Sequence, residues 1–172
     1  MKLAISQPTF LPWQGYIALV NYVDEFVILD DVQFEKRSWQ QRNNIKQNDK
    51  KLLLTVPVKS KGKYNQKINE VFIDYKNDFI DKHLKSIFLS YKKSEFFNLY
   101  FKKIEKIYKK KFQKLSEINL EFLNFLLKEM EINTKISFAS SLNVKEKKHL
   151  LIKKICEMKN CSYFVSTRGS EI

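Results

Sequence analysis

The sequence predicts a Rossmann-like α/β fold, with a mostly parallel sheet of about five strands and an inserted helical block. Short, nearly continuous apolar runs, such as residues 3–5 and 26–29, are typical of parallel strands that are buried on both faces. Segments with helical periodicity lie between several of these apolar runs. The predicted elements follow the order β-α-β, β-β, α-α-α, β-α-β, which favours the α/β class over all-β or all-α architectures.

The first 31 residues predict a compact strand–helix–strand unit. Residues 2–6 are the first strand, a proline-rich turn follows, and a short helix runs to about residue 22. Residues 25–30 are a nearly continuous apolar run, from Glu25 to Asp30, and predict a second buried strand. Residues 30–46 are polar, basic and aromatic without clear periodicity, so we expect a loop with one helical turn at most.

Two further strands are predicted at residues 51–58 and 68–74, paired antiparallel across a polar turn that contains Gly62. Residues 77–130 show helical spacing with breaks near residues 93–94 and 115–116, which predicts three helices. A strand at 135–139, a helix at 144–158 and a strand at 162–166 complete one domain over residues 1–172. Because no predicted element covers the last strand, we expect exposed apolar side chains near residues 163–165, and self-association.

The charge of the chain favours anionic partners. The 172 residues contain 32 Lys+Arg against 19 Asp+Glu, a net charge of +13. Lysine-rich solvated helix faces are the alternative explanation. Nucleic acid is a weak candidate, because the basic excess is spread over helices and is not interleaved with exposed aromatic residues. Two cysteines indicate free thiols in a reducing cytoplasm, and no apolar run approaches the roughly 20 residues that span a bilayer.

The turn at residues 7–16 is the first candidate site. It holds two of the three prolines, one of the three glycines and one of the two tryptophans, so its shape is specified in detail. Ligands of open α/β sheets bind at the carboxyl ends of the strands. A second polar and aromatic segment follows the second strand, at residues 30–46. We therefore expect one crevice, built from residues after the first two strands.

The candidate residues divide by role. Carboxylates, an amide and an amine can act in acid–base chemistry, while aromatic rings, amides and guanidinium groups can bind a sugar, a base or an anion. The predicted catalytic residues are Gln7, Asp30, Asp31 and Lys36, and the predicted substrate-binding residues are Trp13, Tyr16, Gln33, Arg37, Trp39, Arg42, Asn43 and Arg168. For Tyr16, packing in the core is the alternative. Arg168 belongs to a loop that should emerge at the same edge of a doubly wound sheet.

Several chemistries find no support in the sequence. The two histidines, His83 and His149, lie on predicted helices far along the chain from the turn, so a catalytic triad is not predicted. Neither a G-x-G-x-x-G motif nor a Walker lysine motif is present. We assign no metal site and no cofactor. Asp30 and Asp31 could hold Mg²⁺ in an alternative mechanism, and turn capping is the structural explanation for both.

At these residues the sequence resembles the WbqC-like family. The resemblance lies in Gln7-Pro8-Thr9-Phe10-Leu11-Pro12-Trp13, Gly15-Tyr16, Leu29-Asp30-Asp31-Val32-Gln33-Phe34, Lys36-Arg37-Ser38-Trp39, Arg42-Asn43, Ile45-Lys46, Thr55-Val56-Pro57-Val58, Ser140-Ser141 and the loop at 166–170. It implies a bacterial cytoplasmic protein of surface-polysaccharide (O-antigen) biosynthesis. Members of that family usually continue beyond this last loop, so we expect a C-terminal segment to be lacking here.

The proline-containing turn also shows a more distant likeness to the HIGH-type nucleotidyltransferase fold, although neither histidine of that motif is present. Three functions follow. The first is transfer of an acyl or aminoacyl group to a nucleotide-linked amino sugar, with a small anionic nucleotide-sugar as the substrate. The second is Mg²⁺-dependent nucleotidyl transfer through Asp30 and Asp31. The third is a nucleic-acid-binding module.

Overall fold

Six strands and five helices form along residues 1–167, the part of the chain that the computed structural model describes. In chain order they are β1 (Lys2–Ser6), α1 (Gln14–Tyr22), β2 (Glu25–Ile28), β3 (Arg42–Gln47), β4 (Lys50–Thr55), α2 (Phe79–Tyr91), α3 (Phe97–Lys109), α4 (Leu115–Glu129), β5 (Lys135–Phe138), α5 (Lys148–Met158) and β6 (Tyr163–Phe164). Two short 3₁₀ segments lie at Ile68–Glu70 and Ala139–Leu142.

The chain divides into two units, each described by itself. The sheet unit comprises residues 1–8, 12–32 and the chain from residue 123 onward, and the hairpin unit comprises residues 9–11 and 33–122. The sheet unit contains β1, β2, β5, β6, α1 and α5. The hairpin unit contains β3, β4, α2 and α3.

The sheet unit is built on four parallel strands in the order β5-β2-β1-β6. The register of β1 on β2 runs from Leu3 opposite Glu25 to Ser6 opposite Ile28. On its other side β1 pairs with β6 over two residues, Lys2 and Leu3. The mostly parallel α/β sheet predicted from the apolar runs is thereby confirmed, with four strands in the place of about five.

Helices cover both faces of this sheet. Leu3 and Ile5 of β1 and Val27 of β2 share one face, where they form a buried cluster with Leu151 and Ile155 of α5. Phe26 points to the opposite face, because successive side chains of a strand alternate. There its ring lies 5.2 Å from the ring of Tyr16 on α1. Because helices cover both faces of the sheet, side chains on both faces are buried, and the strand sequences are nearly continuous apolar runs.

A buried carboxylate joins the amino ends of the strands. Glu25 begins β2, is 3% exposed, and accepts hydrogen bonds from Ser137 Oγ at 2.6 Å and from the Lys159 ammonium. Lys135 Nζ lies 3.1 Å from its other oxygen. Burial opposes ionisation of Glu25, but the hydrogen bonds from Lys159, Ser137 and Lys135 outweigh it and lower the pKa to about 2. The network stabilises the sheet above pH 4.5 and weakens as the pH falls toward 2.

The strand pairing of the hairpin unit differs from the prediction. The strand predicted at 51–58 forms as β4, but its partner is β3, which lies within the segment we expected to be a loop. The backbone N–H of Lys46 donates to Tyr91 Oη at 3.0 Å. The sequence of β3 is polar: Asn43 donates to two backbone carbonyls, and the side chains of Asn44 and Lys46 are exposed. Its apolar periodicity is therefore weak.

The prediction of a strand at residues 68–74 was wrong. Residues 68–70 form a 3₁₀ turn, in which the Glu70 carboxylate accepts the Lys67 N–H at 3.0 Å. Beyond the turn, Ile73 makes one isolated bridge with Val58 and Phe72 makes one with Lys114. The apolar alternation reflects real burial, since Val71 is 0% and Ile73 is 2% exposed, but it occurs without a ladder of strand hydrogen bonds.

A histidine lies in the aromatic core of the hairpin unit. The ring of His83 lies between 5.3 and 5.9 Å from the rings of Phe10, Phe79 and Tyr108. Its Nε2 accepts the Thr55 N–H at 3.2 Å, and its Nδ1 lies 3.1 Å from Tyr108 Oη. A neutral imidazole that accepts at Nε2 carries its proton on Nδ1 and donates it to the tyrosine. Burial lowers the pKa of His83 to about 4.

The last strand exposes apolar side chains, as the sequence predicts. Tyr163 is 69% and Phe164 is 47% exposed.

Across residues 1–167, none of the helices combines the length and the apolar character that crossing a bilayer requires.

His83 predicts a pH dependence of stability. Below pH 6.5 the unfolded chain binds a proton at this position that the folded protein takes up only near pH 4, so stability falls as the pH decreases through that window. We expect a loss of about 2 kcal/mol in the free energy of unfolding between pH 7 and pH 5. Urea unfolding measures it. The loss should disappear in His83→Gln and persist in His149→Gln; the same loss in both variants would contradict the assignment.

Candidate functional site

The turn after β1 presents a tryptophan at the start of α1. Trp13 is the N-cap residue of α1, no side chain caps the helix, and the indole is 56% exposed. A Cβ atom on Gly15 would lie 2.1 Å from the indole ring, so the ring packs directly on the glycine backbone. Gly15 therefore allows the indole to lie directly against the backbone, and it fixes the orientation of an exposed aromatic ring beside a helix N-terminus.

Gln7 and Tyr16 are neighbours within the sheet unit. Tyr16 Oη donates to the backbone carbonyl of Gln7 at 3.2 Å. Tyr16 is 3% exposed, and burial raises the pKa of its hydroxyl above the usual range. Its ring belongs to the core, the alternative that the sequence left open.

The two aspartates after β2 differ in their partners. Asp30 is 7% exposed and accepts the Ser140 N–H at 3.0 Å and Ser140 Oγ at 2.7 Å, which ties the carboxyl end of β2 to the segment after β5. Asp31 Oδ1 is buried and accepts no hydrogen bond from the described residues. An unpartnered buried carboxylate oxygen is uncommon in proteins, and this makes Asp31 a candidate functional residue.

A groove of about 440 Å³ lies beside β1 and β6 in the sheet unit. Ser6, Ser166 and Thr167 place one end of it at the carboxyl edge of these strands. Strand β1 leads into α1 and β6 follows α5, and these helices cover opposite faces of the sheet. The boundary between β1 and β6 is therefore the topological switch point, where open α/β sheets bind ligands. The groove is lined by Ile5, Ser6, Leu19, His149, Ile152, Lys153, Cys156, Phe164, Ser166 and Thr167.

The sequence reasoning missed most of this lining. The last loop was predicted at the same edge as the first turn, but the binding residue predicted there was Arg168, which lies outside the described residues. The signal that could have identified the groove is the spacing of His149, Ile152, Lys153 and Cys156, which gives one face of a helix. Burial and the neighbouring Cys161 raise the pKa of the Cys156 thiol to about 11, which disfavours its nucleophilic thiolate form at neutral pH.

The hairpin unit holds a braced basic loop. Gln40 and Gln41 are 2% and 7% exposed, and their side-chain oxygens accept the backbone N–H groups of Glu35 and Arg37 at 3.3 and 3.2 Å. Arg37 has a φ of 62°, which is strained for a residue with a Cβ. The loop exposes the side chains of Lys36, Arg37 and Trp39. Backbone strain held by buried amides is typical of functional loops.

Three other predicted binding residues also lie in the hairpin unit. Asn43 Nδ2 donates to the carbonyls of Phe10 and Leu11 at 3.1 and 2.9 Å, and so holds the end of the proline-rich turn. Gln33 Nε2 donates to the Tyr64 carbonyl at 2.9 Å. Arg42 begins β3 and is half-buried. That these residues share one crevice with Gln7, Trp13, Asp30 and Asp31 stays a prediction.

The parallel sheet, its two covered faces and the groove at its switch point define a Rossmann-like α/β protein. The comparisons with known proteins identify the family. The model of the WbqC-like protein family matches residues 7–172, and the chain belongs to that family. It is 32% identical over 166 residues to the Uncharacterized protein Rv1507c of Mycobacterium tuberculosis, a match that covers 96% of this chain and 71% of that relative. No solved structure matches significantly.

Metal-ligating side chains do not cluster in the described residues. Within residues 1–167, His, Cys, Asp and Glu side chains form no group of three or more that could hold a metal ion.

Gly15 predicts a spectroscopic change at Trp13. Gly15→Ala places a methyl group where the indole lies and should displace the ring into solvent. In a Trp39→Phe background, which leaves Trp13 as the single tryptophan, we expect red-shifted emission and stronger quenching by acrylamide. Ala18→Ser, an exposed position on the same helix, is the control. Unchanged emission and quenching in Gly15→Ala would show that the glycine does not set the position of the ring.

Proposed function

We propose that the protein is a transferase of bacterial surface-polysaccharide (O-antigen) biosynthesis that acts on a nucleotide-linked amino sugar. The reaction proposed is transfer of an acyl or aminoacyl group to the sugar amine. The observation that supports it best is the groove at the β1–β6 switch point, whose volume of about 440 Å³ is in the range of small-molecule sites. Membership of the WbqC-like family agrees with this class of function.

The lining of the groove suits such a substrate. Ile5, Leu19 and Phe164 provide apolar surface for a base or a sugar ring. The hydroxyls of Ser6, Ser166 and Thr167 can exchange hydrogen bonds with sugar hydroxyls.

The diphosphate of the substrate would lie near the amino end of α5. His149 and Lys153 line the groove on the first two turns of that helix. No side chain caps α5, so its first N–H groups and its dipole favour an anion there. We propose that Lys153 and these N–H groups bind the diphosphate.

The chemistry of acyl transfer requires a base. The sugar amine attacks the acyl carbonyl, the donor's leaving group departs, and the proton of the attacking amine must pass to an acceptor. We propose Asp31 as this acceptor, because its buried Oδ1 accepts no hydrogen bond from the described residues. Asp30 is engaged by Ser140 and would position the end of β2. Gln7, directly after β1, remains our proposal for a polar group that binds the acyl carbonyl.

The hairpin unit would contribute anion binding through its own loop. Lys36 and Arg37 are exposed on a loop that Gln40 and Gln41 hold in place, and Trp39 exposes its ring beside them. A preorganised guanidinium binds carboxylate or phosphate groups more strongly than a mobile one. We propose that this loop, together with Arg42, binds an anionic group of the donor or the acceptor.

One observation favours a second function. Asp30 and Asp31 follow β2 after one residue, Leu29, and Asp31 keeps a carboxylate oxygen without a hydrogen bond from the described residues. Carboxylate oxygens of this kind bind Mg²⁺ in enzymes that transfer nucleotidyl groups. Titration with ATP and Mg²⁺ distinguishes this alternative from the transferase.

Isothermal titration with UDP-glucosamine, a nucleotide-linked amino sugar, tests the groove. Lys153→Gln should weaken binding roughly tenfold or more, because a charge-assisted hydrogen bond contributes about 1.5–3 kcal/mol. Lys154→Gln is the matched control, since Lys154 is the next residue of α5 and does not line the groove. Ser166→Phe should fill the groove and abolish binding. Equal losses in Lys153→Gln and Lys154→Gln, or full binding by Ser166→Phe, would refute the site.

The basic loop predicts a second, local effect of charge. Arg37→Ala should lower the affinity for an anionic donor of the transferred group by roughly fivefold or more. Lys109→Ala, on the exposed side of α3 and paired with Glu105 at 3.0 Å, should change affinity by less than a factor of about two. Similar losses at both positions would indicate diffuse electrostatic attraction in place of a defined anion site.

A further inference from the structure

Five large apolar side chains are exposed around the turn between α2 and α3 of the hairpin unit. Their exposed fractions lie between 37% and 59%, and they fall within 13 consecutive residues. We call them the apolar tip: Phe88, Leu89, Phe96, Leu99 and Tyr100. Single exposed apolar residues are normal on soluble proteins, but such a concentration indicates an interaction surface.

The apolar tip belongs to a well-packed pair of helices. The ring of Phe88 lies 5.5 Å from that of Phe97 and 5.8 Å from that of Phe101, and Phe97 stacks on Phe101 at 4.8 Å. Further along α3, Ile107 and Tyr108 are buried. Phe88 takes part in both this packing and the exposed surface, whereas Leu89, Phe96, Leu99 and Tyr100 stay largely exposed although the helices already pack other apolar residues inward.

Lysines surround the apolar tip. Residues 85–106 contain six lysines and two glutamates, so here, contrary to the expectation from the sequence, basic residues lie among exposed aromatic residues. Two of the lysines hold their ammonium groups over rings of the tip: Lys92 lies 5.9 Å from the ring centre of Phe88, and Lys103 lies 5.5 Å from that of Tyr100. Apolar side chains and long cationic side chains therefore share one surface.

We infer that the apolar tip docks the protein on the surface of an anionic lipid bilayer. Phenylalanine, leucine and tyrosine insert into the boundary between headgroups and acyl chains, while neighbouring lysines bind anionic headgroups. Charge complementarity selects this occupant. A second copy of the chain would place its six lysines of residues 85–106 against the same six lysines of the first copy, and this repulsion disfavours self-association through the tip.

The composition of the tip also separates a bilayer from nucleic acid. Single-stranded nucleic acid binds to basic surfaces through bases that stack on aromatic rings. Leu89 and Leu99 are each about half exposed and have no π-face on which a base could stack. In a lipid boundary, by contrast, leucine contributes fully to binding through its apolar area.

Vesicle co-sedimentation tests this inference. The full chain should sediment with vesicles of phosphatidylcholine containing phosphatidylglycerol, bind vesicles of phosphatidylcholine alone far more weakly, and dissociate as salt rises. The double variant Phe96→Ser/Leu99→Ser should lose roughly tenfold or more of its affinity, because it removes two apolar side chains from the contact. Lys102→Gln/Lys106→Gln should weaken binding to the anionic vesicles alone.

Matched controls lie elsewhere in the same unit. Leu53→Ser removes a 45% exposed leucine of β4, and Lys50→Gln/Lys51→Gln removes two exposed charges of the β3–β4 hairpin; both should bind like the unaltered chain. Circular dichroism shows that each variant is folded. Three results would each overturn the inference: no binding of the unaltered chain to anionic vesicles, equal losses in the controls, or a dimer in ultracentrifugation that Phe96→Ser/Leu99→Ser dissolves.

Discussion

The position of β1 between β2 and β6 is the constraint on which the sheet unit depends. Its backbone pairs in parallel with both neighbours, and its side chains Leu3 and Ala4 are fully buried, one on each face. Parallel pairing requires a crossover on each side, and these crossovers put α1 and α5 on opposite faces. The groove follows from this geometry, because the two helices diverge at the edge between β1 and β6.

Polar side chains in both units fall into two kinds. Asp30, Gln40, Gln41 and Asn43 are engaged with backbone groups or Ser140, and they hold loops in defined shapes. Trp13, Lys36, Arg37 and Trp39 are presented outward by those same loops and by Gly15. The sequence does not show which kind a residue belongs to, since both kinds occur side by side in the same turns. The distinction decides which substitutions test folding and which test binding.

The predictable part of the fold is the part that apolar burial determines. The parallel strands, α1 and the three helices of residues 77–130 have strong periodicity or continuous apolar runs, and all of them form. Strand β3 was missed because all but one of its residues are polar, and residues 68–74 alternate without a ladder of strand hydrogen bonds. For the groove, the sequence predicts only the edge of the sheet at which it lies. That Lys153 and Ser6 line it depends on the strand order, which places β6 beside β1. The Glu25 network and the neutral His83 depend on contacts distant in sequence.

Hydrogen–deuterium exchange measured with and without UDP-glucosamine tests the central claim, that the groove at the switch point binds the nucleotide-linked sugar. The account predicts slower exchange in peptides that cover residues 3–7, 149–156 and 163–167, with exchange around the apolar tip unchanged. Slower exchange confined to the hairpin unit, with none in the three groove segments, would contradict it.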